Sequence, residues 1–199
     1  MNANRAVFLD RDGTINIESH YLIDPADFRF IPGAPHSLKQ LQNAGFLLVV
    51  ITNQSGIARG YFSQEQVDRL HEHMKALLAE HGVQLAGIYI CPHHPEAGTG
   101  EYRQHCDCRK GKPGNLLRAA EDLDIDLSRS YMIGDKLEDI AAGFAAGCSP
   151  VLVKTGYGNR ALEQAEAMGA QVTEDLNSAA QFILSRLELE QGSDSPGIS

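Results

Sequence analysis

Five short apolar runs, each ending on a residue that can carry chemistry, constrain this chain more than any other feature. Residues 6–9 (Ala-Val-Phe-Leu) end at Asp10, and residues 46–51 end at Thr52-Asn53. Residues 87–90 end at Cys91, residues 131–133 at Gly134-Asp135, and residues 151–153 at Lys154. Runs this short and this uniformly apolar suit strands buried on both faces of a parallel sheet. Helical patterns separate them. Residues 35–44 carry Leu38 and Leu41 three apart, with Gly45 as the stop. Residues 63–81 open on Ser-x-x-Gln, a capping-box form. Further helices are expected over 116–123, 137–146, 160–168 and 176–187. Strand and helix in alternation imply a doubly wound α/β sheet with right-handed crossovers. The 199 residues suffice for one domain with its own core, expected over 1–189. The polar, Gly/Ser/Pro-containing end, 190–199, reads as a tail without structure.

One segment breaks the alternation. Residues 91–111 are rich in Pro, Gly, His and Cys and poor in apolar side chains, so they need another source of order. Cys91-Pro92-His93 and Cys106-Asp107-Cys108 are two ligand pairs separated by twelve residues. Three thiolates and one imidazole make a closed tetrahedral site for structural Zn²⁺. Metal binding would then supply the folding energy that the loop cannot draw from a core. His94 and His105 are the alternative imidazoles, and three unrelated thiols is the plain reading. Cys148 stands apart and reads as a small buried residue.

The strand ends carry the other candidate site. Asp10 and Asp12 can converge on one cation past the first strand, and Asp135 and Asp139 follow the fourth. Ligands of open α/β sheets bind at these carboxyl ends. Oxygen ligation by few protein groups suits Mg²⁺, which keeps water and phosphate oxygens as its other ligands. An Asp-x-Asp-Gly alone is as often a turn. A calcium-binding helix-loop-helix fails on spacing, because its glycine stands at position six of the loop and Gly13 stands at position four. Thr52, Asn53, Gln54 and Ser55 add hydroxyl and amide groups suited to phosphoryl oxygens, and Arg109, Lys110 and Lys112 add positive charge. Nucleophile, cation and donors are what phosphoryl transfer needs.

Together, Asp10-x-Asp12-Gly13-Thr14, Thr52-Asn53, Lys110 and Gly134-Asp135…Asp139 resemble the four motifs of the haloacid dehalogenase (HAD) superfamily of phosphatases. The resemblance covers nearly all of residues 5–185. It implies that Asp10 is the nucleophile and Asp12 the general acid and base. It further implies that Asp10, Asp12 (through its carbonyl) and Asp135 hold Mg²⁺, and that Thr52 and Lys110 bind the transferring phosphoryl group. The chain reads Arg109-Lys110-Gly111-Lys112-Pro113-Gly114 where related phosphatases read Arg-Lys-Pro-x-Pro-Gly. The register favours Lys110 and leaves Lys112 as its rival.

Only about twenty residues separate Thr14 from the next helix, too few for a large cap, so loops should set specificity. Residues 8–16, 50–60, 88–95, 106–110 and 131–139 resemble the D-glycero-D-manno-heptose-1,7-bisphosphate 7-phosphatase family. That resemblance implies sugar contacts from Glu18, Ser19, His20 and Tyr21, recognition by Ser55 and Arg109, and Lys136 beside the metal. Ser19-His20 departs from the family's usual His-Gly. Histidinol-phosphate phosphatase shares the motifs and the zinc loop and is the rival enzyme reading. A zinc-stabilised binding module is the non-enzymatic one, and retention of Asp10 and Asp12 speaks against it. The formal net charge of −9 disfavours nucleic acid or an anionic membrane as partner. No apolar run approaches the roughly 18–20 residues of a membrane span. A cytoplasmic monomer acting on a small phosphorylated sugar is expected.

Overall fold

The computed structural model describes residues 3–193. Its centre is a six-stranded parallel sheet: β1 (Ala6–Leu9), β2 (Leu47–Asn53), β3 (Gly87–Cys91), β4 (Tyr131–Gly134), β5 (Ser149–Val153) and β6 (Gln171–Thr173). The order across the sheet is β3-β2-β1-β4-β5-β6. The chain therefore begins in the middle, winds outward to one edge, and crosses back to build the other half. The switch lies between β1 and β4, where Leu9 is in register with Ile133.

Six helices cover the sheet: α1 (Ala34–Asn43), α2 (Gln64–Glu80), α3 (Gly114–Leu123), α4 (Leu137–Ala146), α5 (Gly158–Ala167) and α6 (Leu176–Ser193). Successive strand residues point to opposite faces, and the core divides accordingly. Val7, Leu9, Leu48 and Val50 pack with Leu38 and Leu41 of α1, Leu70, Met74 and Leu78 of α2, and Ile183 of α6. On the other face Ala6, Phe8, Val49 and Ile51 pack with Leu116 and Ala119 of α3 and Ala142 of α4. Both faces of β1 are thus buried, which is why it reads as an unbroken apolar run. The expected capping box of α2 is formed: Gln66 N donates to Ser63 Oγ at 3.3 Å, and Ser63 N donates to Gln66 Oε1 at 2.9 Å.

Three expectations change. The third strand is not buried on both faces. It forms a sheet edge, and residues 87–90 are only half-buried. A sixth strand, β6, follows α5 where none was expected; three residues with one apolar side chain carry too weak a pattern to be seen. The tail expected from residue 190 is helical to Ser193, because α6 runs on past the apolar residues that anchor it. The rest of that expectation, 194–199, lies outside the described residues.

Candidate active site

The carboxyl ends of β1, β2, β3 and β4 surround one cavity of about 260 Å³. Asp10 follows β1, and its backbone N–H donates to Ile133 O at 2.9 Å, so both central strands fix it. Asp135 and Asp139 are fully buried behind it. One oxygen from each of Asp10, Asp135 and Asp139 lies within 4.8 Å of the others. Like charges so close repel one another. Burial, and then the charge of Asp10, pushes Asp135 up to about 7; burial, with Asp10 adding, pushes Asp139 up to about 6 against the opposing pull of Lys110.

That cluster fits a divalent cation. Asp135 Oδ1 is buried without a hydrogen bond, and Lys136 Nζ lies 3.4 Å from it. The other oxygen, Oδ2, accepts from Tyr157 N at 2.8 Å, which aims the carboxylate. Gly13, at φ +89°, presses against this group; a Cβ there would collide with the Asp135 carboxylate. A hard cation with oxygen ligands is what the donor set suits.

Two lysines balance the cluster. Lys110 Nζ pairs with Asp10 Oδ1 and, at 2.8 Å, with Asp139 Oδ1. Burial opposes its charge, but the two carboxylates outweigh that cost and hold its pKa above the ordinary lysine range. Lys136 Nζ lies 3.7 Å from Asp10 and 3.5 Å from Glu18. Lys112 stands outside, exposed, paired with Asp107 at 2.9 Å. The backbone explains the difference: Lys110 N donates to Asn53 Oδ1 at 3.0 Å and Gly111 N to Glu138 O at 2.9 Å, turning Lys110 inward and Lys112 out.

Asp12 is held differently. Its carboxylate takes the fork of Arg11, with Nη2 at 2.8 Å from Oδ2, and accepts from Asn16 Nδ2 at 3.0 Å and Gln54 Nε2 at 3.2 Å. Burial works against its charge, yet the Arg11 guanidinium and these donors prevail and hold its pKa below the usual carboxylate range.

Most of the expected substrate residues line the same cavity: Glu18, His20, Tyr21, Asn53, Gln54, Ser55, Arg109 and Lys136. His20 and Tyr21 both adopt positive φ, +30° and +57°, unusual for side chains of their size and typical of strained functional loops. Two expected residues do not reach the cavity wall. Ser19 is exposed outside it, and Thr52 is buried beneath it, its Oγ1 accepting from Gln54 Nε2 at 2.9 Å. A larger cleft of about 420 Å³ sits at the amino end of the sheet, among Arg5, Tyr131 and Phe182, far from the carboxylates.

The loop between β3 and α3 brings Cys91, His93, Cys106 and Cys108 together. Cys91 and Cys106 sulfurs are 3.6 Å apart, Cys106 and Cys108 3.3 Å, His93 Nδ1 and Cys108 3.3 Å, and Cys91 and His93 Nδ1 3.9 Å. A tetrahedron with metal–sulfur bonds of about 2.3 Å has edges near 3.8 Å, so the four atoms fit around one zinc ion. They are too far apart for disulfides. Burial raises the thiol pKa of Cys91 and of Cys108, a cost that a coordinated cation reverses. His94 is engaged elsewhere, against Arg59 at 3.1 Å, and His105 is exposed.

Residues 107–179 match the family described as HAD-hyrolase-like. The chain is 58% identical over 154 residues to D-glycero-beta-D-manno-heptose-1,7-bisphosphate 7-phosphatase of Haemophilus ducreyi, covering 76% of this chain and 84% of the relative. The enzyme of that name from Escherichia coli K12 is 46% identical over 183 residues, 92% of this chain and 89% of its own. The chain belongs to the D-glycero-beta-D-manno-heptose-1,7-bisphosphate 7-phosphatase family. Among solved structures, the D,D-heptose 1,7-bisphosphate phosphatase of B. bronchiseptica, complexed with magnesium and phosphate, superposes with a TM-score of 0.81 at 36% identity, over 92% of this chain and 99% of that one.

Within this heptose phosphatase family site, several residues carry no motif signal. Tyr157 lines the cavity from the loop after β5, with its hydroxyl 3.2 Å from His20 Nδ1 and Lys136 Nζ 5.2 Å from its ring centroid. Its place three residues past Lys154, where the fifth apolar run ends, is the signal that could have found it. Glu138 completes the wall. Asp139, one of the four carboxylates at the strand ends, shares Lys110 with Asp10.

Proposed function

We propose that this chain hydrolyses the 7-phosphate of D-glycero-beta-D-manno-heptose 1,7-bisphosphate through an aspartyl-phosphate on Asp10. The carrying observation is the convergence of Lys110 and Lys136 on the Asp10 carboxylate at the floor of the cavity. Phosphoryl oxygens entering there would exchange one anionic partner of each lysine for another. Asp10 attacks phosphorus in line, the bond from phosphorus to the sugar oxygen breaks, and Asp12, which takes up a proton as the anionic phosphate closes over it, gives that proton to the sugar oxygen. Asp12 then takes a proton from the attacking water, the acyl phosphate opens, and Asp10 and inorganic phosphate are released. Asp10, the backbone carbonyl of Asp12 and Asp135 would hold Mg²⁺. When bound, the ion lets an anionic carboxylate approach an anionic phosphate.

Thr52, with Asn53 and Gln54 around it, serves the phosphoryl group. Glu18, His20, Tyr21 and Ser55 serve the sugar from the cavity wall, and Ser19 the part of it that extends outside. Arg109, whose Nη1 donates to His93 O at 3.2 Å, is steadied by the zinc loop to receive the second phosphate. Zinc on Cys91, His93, Cys106 and Cys108 is structural. The product is expected to feed a nucleotide-activated heptose for lipopolysaccharide. The protein is read as a cytoplasmic monomer with one domain over 1–189, in keeping with four free cysteines.

Phosphate release with Mg²⁺ tests the reading, comparing both anomers of heptose 1,7-bisphosphate with histidinol phosphate. A kcat/KM for the beta bisphosphate at least about 100-fold above the others, roughly 3 kcal/mol, is expected. A preference for histidinol phosphate would overturn the substrate and keep the chemistry.

A further inference from the structure

We propose that His71, on α2, acts through Arg11 as a positioning residue for Asp12. The proposal rests on the reading of Asp12 as acid and base. Arg11 is among the largest fully buried side chains of the protein, 1% exposed. Its guanidinium has only donors. Nε and Nη2 face the Asp12 carboxylate at 2.8–3.2 Å. Nη1 faces His71 Nε2 at 2.9 Å. Since arginine cannot accept, His71 Nε2 is the acceptor and the neutral ring carries its proton on Nδ1.

The plane of the guanidinium is thus fixed at both ends, by the carboxylate it serves and by an imidazole behind it. The imidazole is itself anchored. His71 is 3% exposed, and its helix neighbours Leu70, Met74 and Leu78 belong to the core beneath the sheet. The remaining partners of Asp12 are amides on loops, Asn16 and Gln54. His71 therefore ties the Asp12 carboxylate to a rigid helix. Burial, and then the Arg11 charge, holds the His71 pKa down to about 3, so the acceptor is available throughout the neutral range. Loss of the acceptor would leave Nη1 buried and unpaired, and the fork free to turn toward other partners.

A merely structural histidine would affect all substrates alike. A misplaced acid harms only leaving groups that need a proton. Purified, folded His71→Leu and His71→Gln should be assayed with Mg²⁺ on the heptose bisphosphate, an alkyl phosphate, and on p-nitrophenyl phosphate, whose phenolate leaves unprotonated. His71→Leu is expected to lower kcat/KM on the alkyl ester by about tenfold or more and on the aryl ester by less than about threefold, within what a general acid contributes. His71→Gln, whose amide oxygen accepts from Arg11, should restore most of the loss. Should His71→Leu not fold, Arg11→Lys, which keeps the charge and loses the fork, must show the same discrimination. Equal losses on both esters, or no loss on the alkyl one, would overturn the proposal. Asp12→Ala is the control: if it spares neither ester preferentially, the acid role itself is wrong and both readings fall. Selective loss in Asp12→Ala without it in His71→Leu would remove His71 alone.

Discussion

Lys110 and Lys112 stand two positions apart and have different surroundings: one is buried between two carboxylates, the other exposed on a single aspartate. Lys110→Ala is expected to lower kcat by about 100-fold or more, the scale of losing one preorganised donor, and Lys112→Ala by less than threefold, in steady-state assays; the reverse ranking would show that the phosphate lysine has been misassigned. His71 gives a pH prediction. Its pKa is about 3 in the folded protein and near 6.5 unfolded, so between these values the unfolded chain binds more protons and stability falls as pH falls. From pH 7 to 5 that contribution is about 1–2 kcal/mol, and it should appear in urea unfolding as the change, between the two pH values, of the stability difference between wild type and His71→Gln. Asp10, Asp12, Asp135 and Asp139 were legible because each follows directly on an apolar run or its turn. Arg11 and Tyr157 were not: Arg11 looks like a solvated charge in a loop, and only the packed fold shows that its guanidinium is buried and shared between Asp12 and His71.

At the scale of elements, periodicity located α2 and α4 closely because their signals are local, a capping box in one and a terminal Gly147 in the other. Position within the sheet was not legible, which is why the half-buried edge strand β3 was read as buried on both faces and β6 was missed. The loop between β3 and α3 was legible as a candidate metal site from ligand spacing alone, and its four ligand atoms do come together. It is tied to the rest by the backbone of Lys110 and Gly111. Removing the proposed zinc with a chelator should therefore do two things: release about one zinc per chain, and lower activity by misplacing Arg109 and Lys110 even with Mg²⁺ in excess. Amide exchange should speed up in 92–111 and stay slow in β1. Zinc, and not Mg²⁺, should restore both; activity unchanged after complete zinc loss would refute the coupling.

For the whole molecule, chemistry and stability are separated in space. Leu38, fully buried between α1 and the sheet, is remote from the cavity. Leu38→Ala should cost about 2–5 kcal/mol by thermal or urea unfolding and leave kcat at 25 °C within twofold. Asp10→Asn should do the opposite, abolishing turnover with an unchanged or higher melting temperature, since it relieves crowding among buried carboxylates. The order β3-β2-β1-β4-β5-β6 also bears on synthesis. Val7 must wait for Tyr131 to complete its second ladder. At ribosomal speeds of about 5–20 residues per second, that delay is roughly 6–25 s. Throughout it the nascent chain displays one unpaired edge of its most apolar strand, so Asp10 emerges next to the segment most in need of a chaperone.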